Sequence, residues 1–162
     1  MQTINRDIYL QRLKDREQNG LVKTVTGIRR CGKSYLLNTL FYNYLKQKGV
    51  KDDHIIKISL DDDENRDLLL PQALSRYIKK LIVDDDLYYI LLDEIQLADN
   101  FVGVLNGLLK LPNTDIYVTG SNSKFLSTDI VTEFRGRGDE VRILPLSFSE
   151  FMSVYSGSPM QG

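Results

Sequence analysis

Gly27-Ile28-Arg29-Arg30-Cys31-Gly32-Lys33-Ser34 meets every fixed position of the phosphate-binding pattern G-x-x-x-x-G-K-[ST]. Residues 21–26, before it, alternate and are rich in β-branched side chains, which predicts a strand. Residues 34–48, after it, carry Leu36, Leu37, Leu40, Phe41, Tyr44 and Leu45 on one broad face, which predicts a helix closed by Gly49. The motif has meaning only between a strand and a helix, and both are present. Gly27 and Gly32 allow backbone angles closed to other residues and let the main chain approach an anion without a Cβ in the way. Successive loop N–H groups then form a nest for a phosphate, and the positive end of the following helix adds to the field. On this reading Lys33 meets the β- and γ-phosphates and the Ser34 hydroxyl ligates Mg²⁺.

A second stretch supplies the complementary chemistry. Leu87-Tyr88-Tyr89-Ile90-Leu91-Leu92 is an unbroken apolar run, the pattern of a strand covered on both faces in a parallel sheet. It ends in Asp93-Glu94. Two adjacent carboxylates at the end of a buried strand are costly unless they have work to do. Ligands of open α/β sheets gather just outside such strand ends, so the pair is expected to face the same crevice as the phosphate loop. Ser34 and Asp93 are expected to share Mg²⁺, Asp93 directly or through a water. Glu94, one residue on, is the candidate to polarise an attacking water, which favours hydrolysis over transfer to a bound acceptor.

The remaining elements fill in an α/β chain. Residues 5–18 read as a helix with Ile8, Tyr9 and Leu13 on its apolar side and Asn5 as N-cap, ended by Asn19-Gly20. Residues 54–60 read as the second strand, with His54 a strand-edge residue rather than a ligand. Asp61-Asp62-Asp63-Glu64 reads as a solvated turn and helix start, since the glycine-containing spacing of a calcium loop is missing. A helix is expected over 68–83 with Pro71 at a kink or in its first turn, and another over 100–110. Residues 115–119 make the fourth strand and lead into Gly120-Ser121-Asn122-Ser123, polar residues able to reach a γ-phosphate or to cap a helix. Arg135-Gly136-Arg137-Gly138 is a basic turn before a fifth strand at 140–144. Arg135 and Arg137 are candidates for the additional cation that stabilises charge developing on the γ-phosphate, within the chain or in a neighbouring subunit.

Composition narrows the function. The chain has 162 residues, enough for one domain with a proper core. One cysteine excludes an internal disulfide and one histidine excludes most His-rich metal sites; both suit a reducing cytoplasm. No signal-peptide pattern opens the chain and no apolar run reaches membrane-spanning length. Net charge is −1, which gives no global case for nucleic acid. Residues 1–54 nevertheless hold 11 Lys and Arg against 5 Asp and Glu, as expected around a phosphate loop and so no independent evidence for DNA, while residues 55–101 hold 5 against 11. The apolar residues Phe148, Phe151 and Val154 have little chain left to pack against, and residues 156–162 have linker composition, so a further C-terminal domain is expected.

In order, Val25 to Ser34, Leu92-Asp93-Glu94-Ile95-Gln96, Val118-Thr119-Gly120-Ser121-Asn122-Ser123, Gly136-Arg137 and Leu144-Pro145-Leu146-Ser147-Phe148-Ser149-Glu150-Phe151 resemble an AAA-type P-loop ATPase core. The likeness covers about residues 20–155 and is to prokaryotic (archaeal and bacterial) AAA ATP-binding proteins, with Asp-Glu-Ile-Gln as the Walker B motif. It implies a three-layer α/β/α fold with a parallel five-stranded sheet in the order 5-1-4-3-2. The core would span 1–155, with an N-terminal helix in 1–19 and a linker-like tail at 156–162. ATP with Mg²⁺ is the implied ligand, held by the Walker A residues Gly27 to Ser34 together with Tyr35. Glu94 is the implied catalytic glutamate, Ser121 or Asn122 the polar sensor, and Arg137 ahead of Arg135 the arginine finger. The expected function is hydrolysis of Mg-ATP coupled to a conformational change. The alternative is a nucleotide-controlled interaction module with negligible turnover, and a small-molecule kinase ranks below both. Expected partners are ATP and ADP, a homo-oligomer if the finger comes from a neighbour, and no membrane. Nucleic acid enters only through the C-terminal region that longer members carry.

Overall fold

Five strands, β1 (Val22–Thr26), β2 (Ile55–Ser59), β3 (Tyr88–Asp93), β4 (Thr114–Gly120) and β5 (Gly138–Arg142), form one sheet in the order β2-β3-β4-β1-β5. Every neighbouring pair is parallel. This is the order 5-1-4-3-2 expected above, met from its other edge. The structure, a computed structural model, describes residues 7–26, 32–120 and 138–142. Its helices are α1 (Asp7–Asp15), α2 (residues 33–47), α3 (Ala73–Leu81) and α4 (Phe101–Leu109). Within α2, α-helical Lys33–Tyr35 and Tyr42–Gln47 flank a π-helical stretch, Leu36–Phe41.

The sheet is covered on both faces, giving three layers. On one face Leu74 and Ile78 of α3 and Phe101, Val104, Leu105 and Leu108 of α4 pack with Ile58, Ile90, Leu92, Ile116 and Val118. On the other, Tyr9 and Leu13 of α1 and Leu36, Leu37, Phe41 and Leu45 of α2 pack with Val25, Leu91, Tyr117 and Val141. β3 explains why its sequence is apolar throughout. Tyr88, Ile90 and Leu92 point to the first layer and Tyr89 and Leu91 to the second, and every residue of the strand is buried. Each fully buried side chain of this size contributes about 1.5–3 kcal/mol. A charge at Ile90 or Leu91 would break the fold.

Several expectations are corrected. The N-terminal helix ends at Asp15, and Ile8 is 56% exposed, since the face turned to the core carries Tyr9 and Leu13, four apart, with Leu10 partly buried beside them. Asn5 lies outside the described residues. The helix expected from residue 68 starts at Ala73. Pro71 forces Leu70 into an extended conformation, a 3₁₀ turn occupies Asp63–Leu69, and Gln72 turns the chain at φ 66°. The fifth strand already begins at Gly138, paired with Val22, so that glycine is not part of a turn. His54 sits in a 3₁₀ turn, Asp52–His54, ahead of β2. Lys23, alternating with apolar neighbours, is fully buried; it ion-pairs with Asp115, which also accepts from Tyr117 at 2.7 Å. No helix among the described residues is long and apolar enough to cross a membrane.

Candidate functional site

The chain leaves β1, crosses to the far strand β2 and returns through β3 and β4, so its connections reverse direction around β1 and β4. In such sheets the crevice opens at the C-terminal ends of the strands near that reversal. Three chain segments meet there: the start of α2, the end of β3 and the end of β4.

Gly32 enters α2 at φ 97°, ψ 13°, a left-handed conformation that glycine adopts without steric cost, and its carbonyl accepts the Leu36 N–H at 2.9 Å. Lys33 is buried against this edge. The Ser34 hydroxyl lies 2.9 Å from both oxygens of Asp93, a residue 59 positions further along the chain. Asp93 is itself 3% exposed. Its second donor is the Thr119 hydroxyl at 2.5 Å, and that same hydroxyl accepts the Glu94 backbone N–H at 2.9 Å. Thr119 is fully buried. Register explains its place: Leu92 pairs with Val118, so the next step along both strands sets Thr119 beside Asp93.

Glu94 has φ 58° and ψ 51°, left-handed without being glycine. Such a residue costs about 1–3 kcal/mol and persists where surrounding contacts hold it. Among these are the main-chain bond to Thr119, the Leu97 N–H donating to the Glu94 carbonyl at 3.1 Å, and the Gln96 amide, whose Nε2 donates to Glu94 Oε1 at 2.7 Å. Gln96 lies in the 3₁₀ turn Ile95–Leu97 and is buried. Its Oε1 has no hydrogen-bond partner among the described residues, a loss of about 1–3 kcal/mol.

Burial raises the Asp93 pKa above the ordinary carboxylate value. Donation from Thr119 and Ser34 works against this, but the nearby charges of Glu94 and Asp61 add to it. A buried carboxylate among other carboxylates is stabilised by a cation, and a hydroxyl with carboxylate oxygens is a hard donor set suited to Mg²⁺. Ser34 and Asp93 are the residues that would hold it.

Other sequence candidates resolve differently. Asp61, Asp62, Asp63 and Glu64 are all exposed, and Asp62 accepts the Glu64 N–H at 3.0 Å, which is the solvated, capped turn expected. His54 does not sit alone: Nδ1 lies 2.8 Å from Asp53, and Nε2 lies 3.1 Å from Asp84 and 3.8 Å from Asp86. The bond to Asp53 raises its pKa most, burial opposes it, and Asp84 adds to the rise, so His54 reads as a charge-paired side chain. Tyr35 is 44% exposed. Gly27, Ile28, Arg29, Arg30, Cys31, Ser121, Asn122, Arg135 and Arg137 lie outside the described residues. Sequence reasoning gave no role to Thr119 or Gln96. The signal for the first is a hydroxyl closing the apolar run of β4, and for the second an amide just behind the carboxylate pair.

A family model described as an AAA domain (AAA_14) matches residues 19–152. An uncharacterized protein of Haemophilus influenzae is 35% identical over 150 residues, covering 92% of this chain and 37% of its own length. The protein MJ1544 of Methanocaldococcus jannaschii is 36% identical over 156 residues, covering 92% and 31%. This chain thus spans about a third of the length of these relatives. Among solved structures, a DNA replication initiation factor superposes with a TM-score of 0.58 at 21% identity, over 95% of this chain and 50% of that one. PCH-2 of C. elegans superposes at 0.56 and 16% identity, over 84% and 40%. At these identities the likeness is one of fold, the three-layer α/β/α P-loop architecture.

Proposed function

Because this chain belongs to the AAA domain family and has an AAA-type ATPase core, we propose that it binds Mg-ATP, hydrolyses it and couples hydrolysis to a conformational change. The observation that carries the reading is the 2.9 Å approach of the Ser34 hydroxyl to Asp93. Two distant motifs, one suited to the triphosphate and one to its metal, share a single sheet edge.

In this reading the Walker A loop from Gly27 to Ser34 cradles the phosphates through its N–H groups, with Tyr35 beside it. Lys33 neutralises the β- and γ-oxygens. Ser34 and the Walker B Asp93 hold the Mg²⁺, which when bound offsets charge on the phosphate oxygens. Glu94, the second carboxylate of Asp-Glu-Ile-Gln, orients the attacking water and takes its proton. Asn122 or Ser121 senses the γ-phosphate, and Arg137, or else Arg135, supplies the finger. A finger from a neighbouring subunit makes the active form a homo-oligomer, and specific activity then rises with protein concentration.

Hydrolysis and binding assays on two variants test this. Lys33→Ala should lose nucleotide binding. Glu94→Gln should bind ATP as wild type does but turn over about a hundredfold more slowly, or less. Equal hydrolysis by Glu94→Gln and wild type removes Glu94 from its role. Co-purified ADP with negligible wild-type turnover would instead favour a nucleotide-controlled interaction module.

A further inference from the structure

We propose that Gln96 positions the Glu94 carboxylate for the hydrolytic step; this rests on the ATPase reading above. Its amide Nε2 is 2.7 Å from Glu94 Oε1, and the residue is 7% exposed. The orientation of that amide is set by chemistry, since its oxygen turned towards a carboxylate would repel it. The consequence is a buried Oε1 with no partner among the described residues. Leucine or methionine would fill the same space without stranding a polar atom, so packing does not account for a glutamine here. Its use is to hold Glu94.

A glutamate has several rotatable bonds, and an untethered one spreads its carboxylate over many rotamers. A general base must sit within hydrogen-bond reach of the proton it takes, and small displacements are costly in rate. Here the Glu94 main chain is fixed on Thr119 and its carboxylate on Gln96. Both ends of the side chain are therefore anchored to neighbours in the crevice. Gln96 acts through Glu94 and is a positioning residue.

The test is made in the full-length protein with Gln96→Leu. We expect kcat to fall about tenfold to a hundredfold, while KM and the affinity for a fluorescent ATP analogue stay within about twofold. Tm should change little, because losing the bond to Glu94 is offset by removing the unpartnered Oε1. On a Glu94→Gln background the same substitution should cause no further loss, since the residue it acts through is already gone. A kcat within about twofold of wild type, or a full additional loss on that background, overturns the proposal. If wild type shows no turnover, the ATPase reading fails on its own, and the contact is read by ¹⁵N NMR instead. The Gln96 side-chain amide signals, identified by their loss in Gln96→Leu, should shift on Glu94→Ala; unmoved signals overturn the coupling.

Discussion

The Thr119 hydroxyl donates to Asp93 Oδ1 at 2.5 Å while accepting the backbone N–H of the next residue at 2.9 Å. One buried oxygen on β4 thus holds the Asp93 carboxylate and the Glu94 main chain at the end of β3. Thr119→Val keeps the shape and removes both bonds. Stability should fall by about 1–3 kcal/mol in urea denaturation, and Mg²⁺-dependent ATP binding should weaken. Thr119→Ser should restore both, and a valine variant indistinguishable from wild type would show that the hydroxyl has no such role.

Asp93 is held for function at a cost in stability. Its pKa is raised, so the ionised form is disfavoured in the fold, and at neutral pH the carboxylate destabilises the metal-free protein. The penalty fades as pH falls through the raised value. Asp93→Asn should therefore leave Tm in EDTA unchanged or higher while removing the Mg²⁺ enhancement of ATP binding. A clear drop in Tm at neutral pH would contradict this account of its environment.

The opposite end of the sheet carries a structural ion pair. Lys23 and Asp115 are both 1% exposed at their side chains, and Asp115 also accepts from Tyr117 and from the Gln18 N–H. Lys23→Met strands a buried carboxylate and should cost about 3 kcal/mol, measured by denaturant unfolding. Adding Asp115→Asn should recover part of the loss. Strict additivity of the two would show that the residues are not coupled.

His54 makes stability depend on pH. Its pKa is raised above 6.5 by the bond to Asp53, with Asp84 adding to the effect. Asp86 lies farther from its ring and Tyr88 packs against it. The stabilisation is therefore fully present below the ordinary histidine value and is lost as pH rises through the higher folded one. The Tm difference between wild type and His54→Gln should be larger near pH 5.5 than near pH 8.5, approximate settings on either side of the titration. An equal difference at both would mean that His54 is not charged in the fold.

Much of this was legible in the chain because local chemistry is strong at the decisive points. The phosphate-loop pattern marked Gly32 as a residue free to take angles closed to others, which it does at φ 97°, and the unbroken apolar run of β3 announced a strand buried on both faces. The meeting of Ser34 with Asp93 followed from setting the Asp93-Glu94 pair at the strand end that faces the same crevice as the phosphate loop. What stayed hidden depends on partners distant in sequence. Thr119 acquires its role from the register of β3 against β4, which no local pattern encodes. Lys23 looks like an outward residue of an alternating strand until Asp115 is set beside it. Pro71 could be read as a kink or a helix start; only the extended Leu70 before it shows that the helix begins later.

The most direct measurement of the central claim is ATP affinity by calorimetry with and without Mg²⁺, in wild type, Ser34→Ala and Asp93→Ala. If Ser34 and Asp93 jointly hold the metal, Mg²⁺ should tighten ATP binding about tenfold or more in wild type, roughly 1.4 kcal/mol, and should do little in either variant. Both variants should retain metal-free ATP binding through the loop. The same Mg²⁺ enhancement in all three proteins would contradict the account.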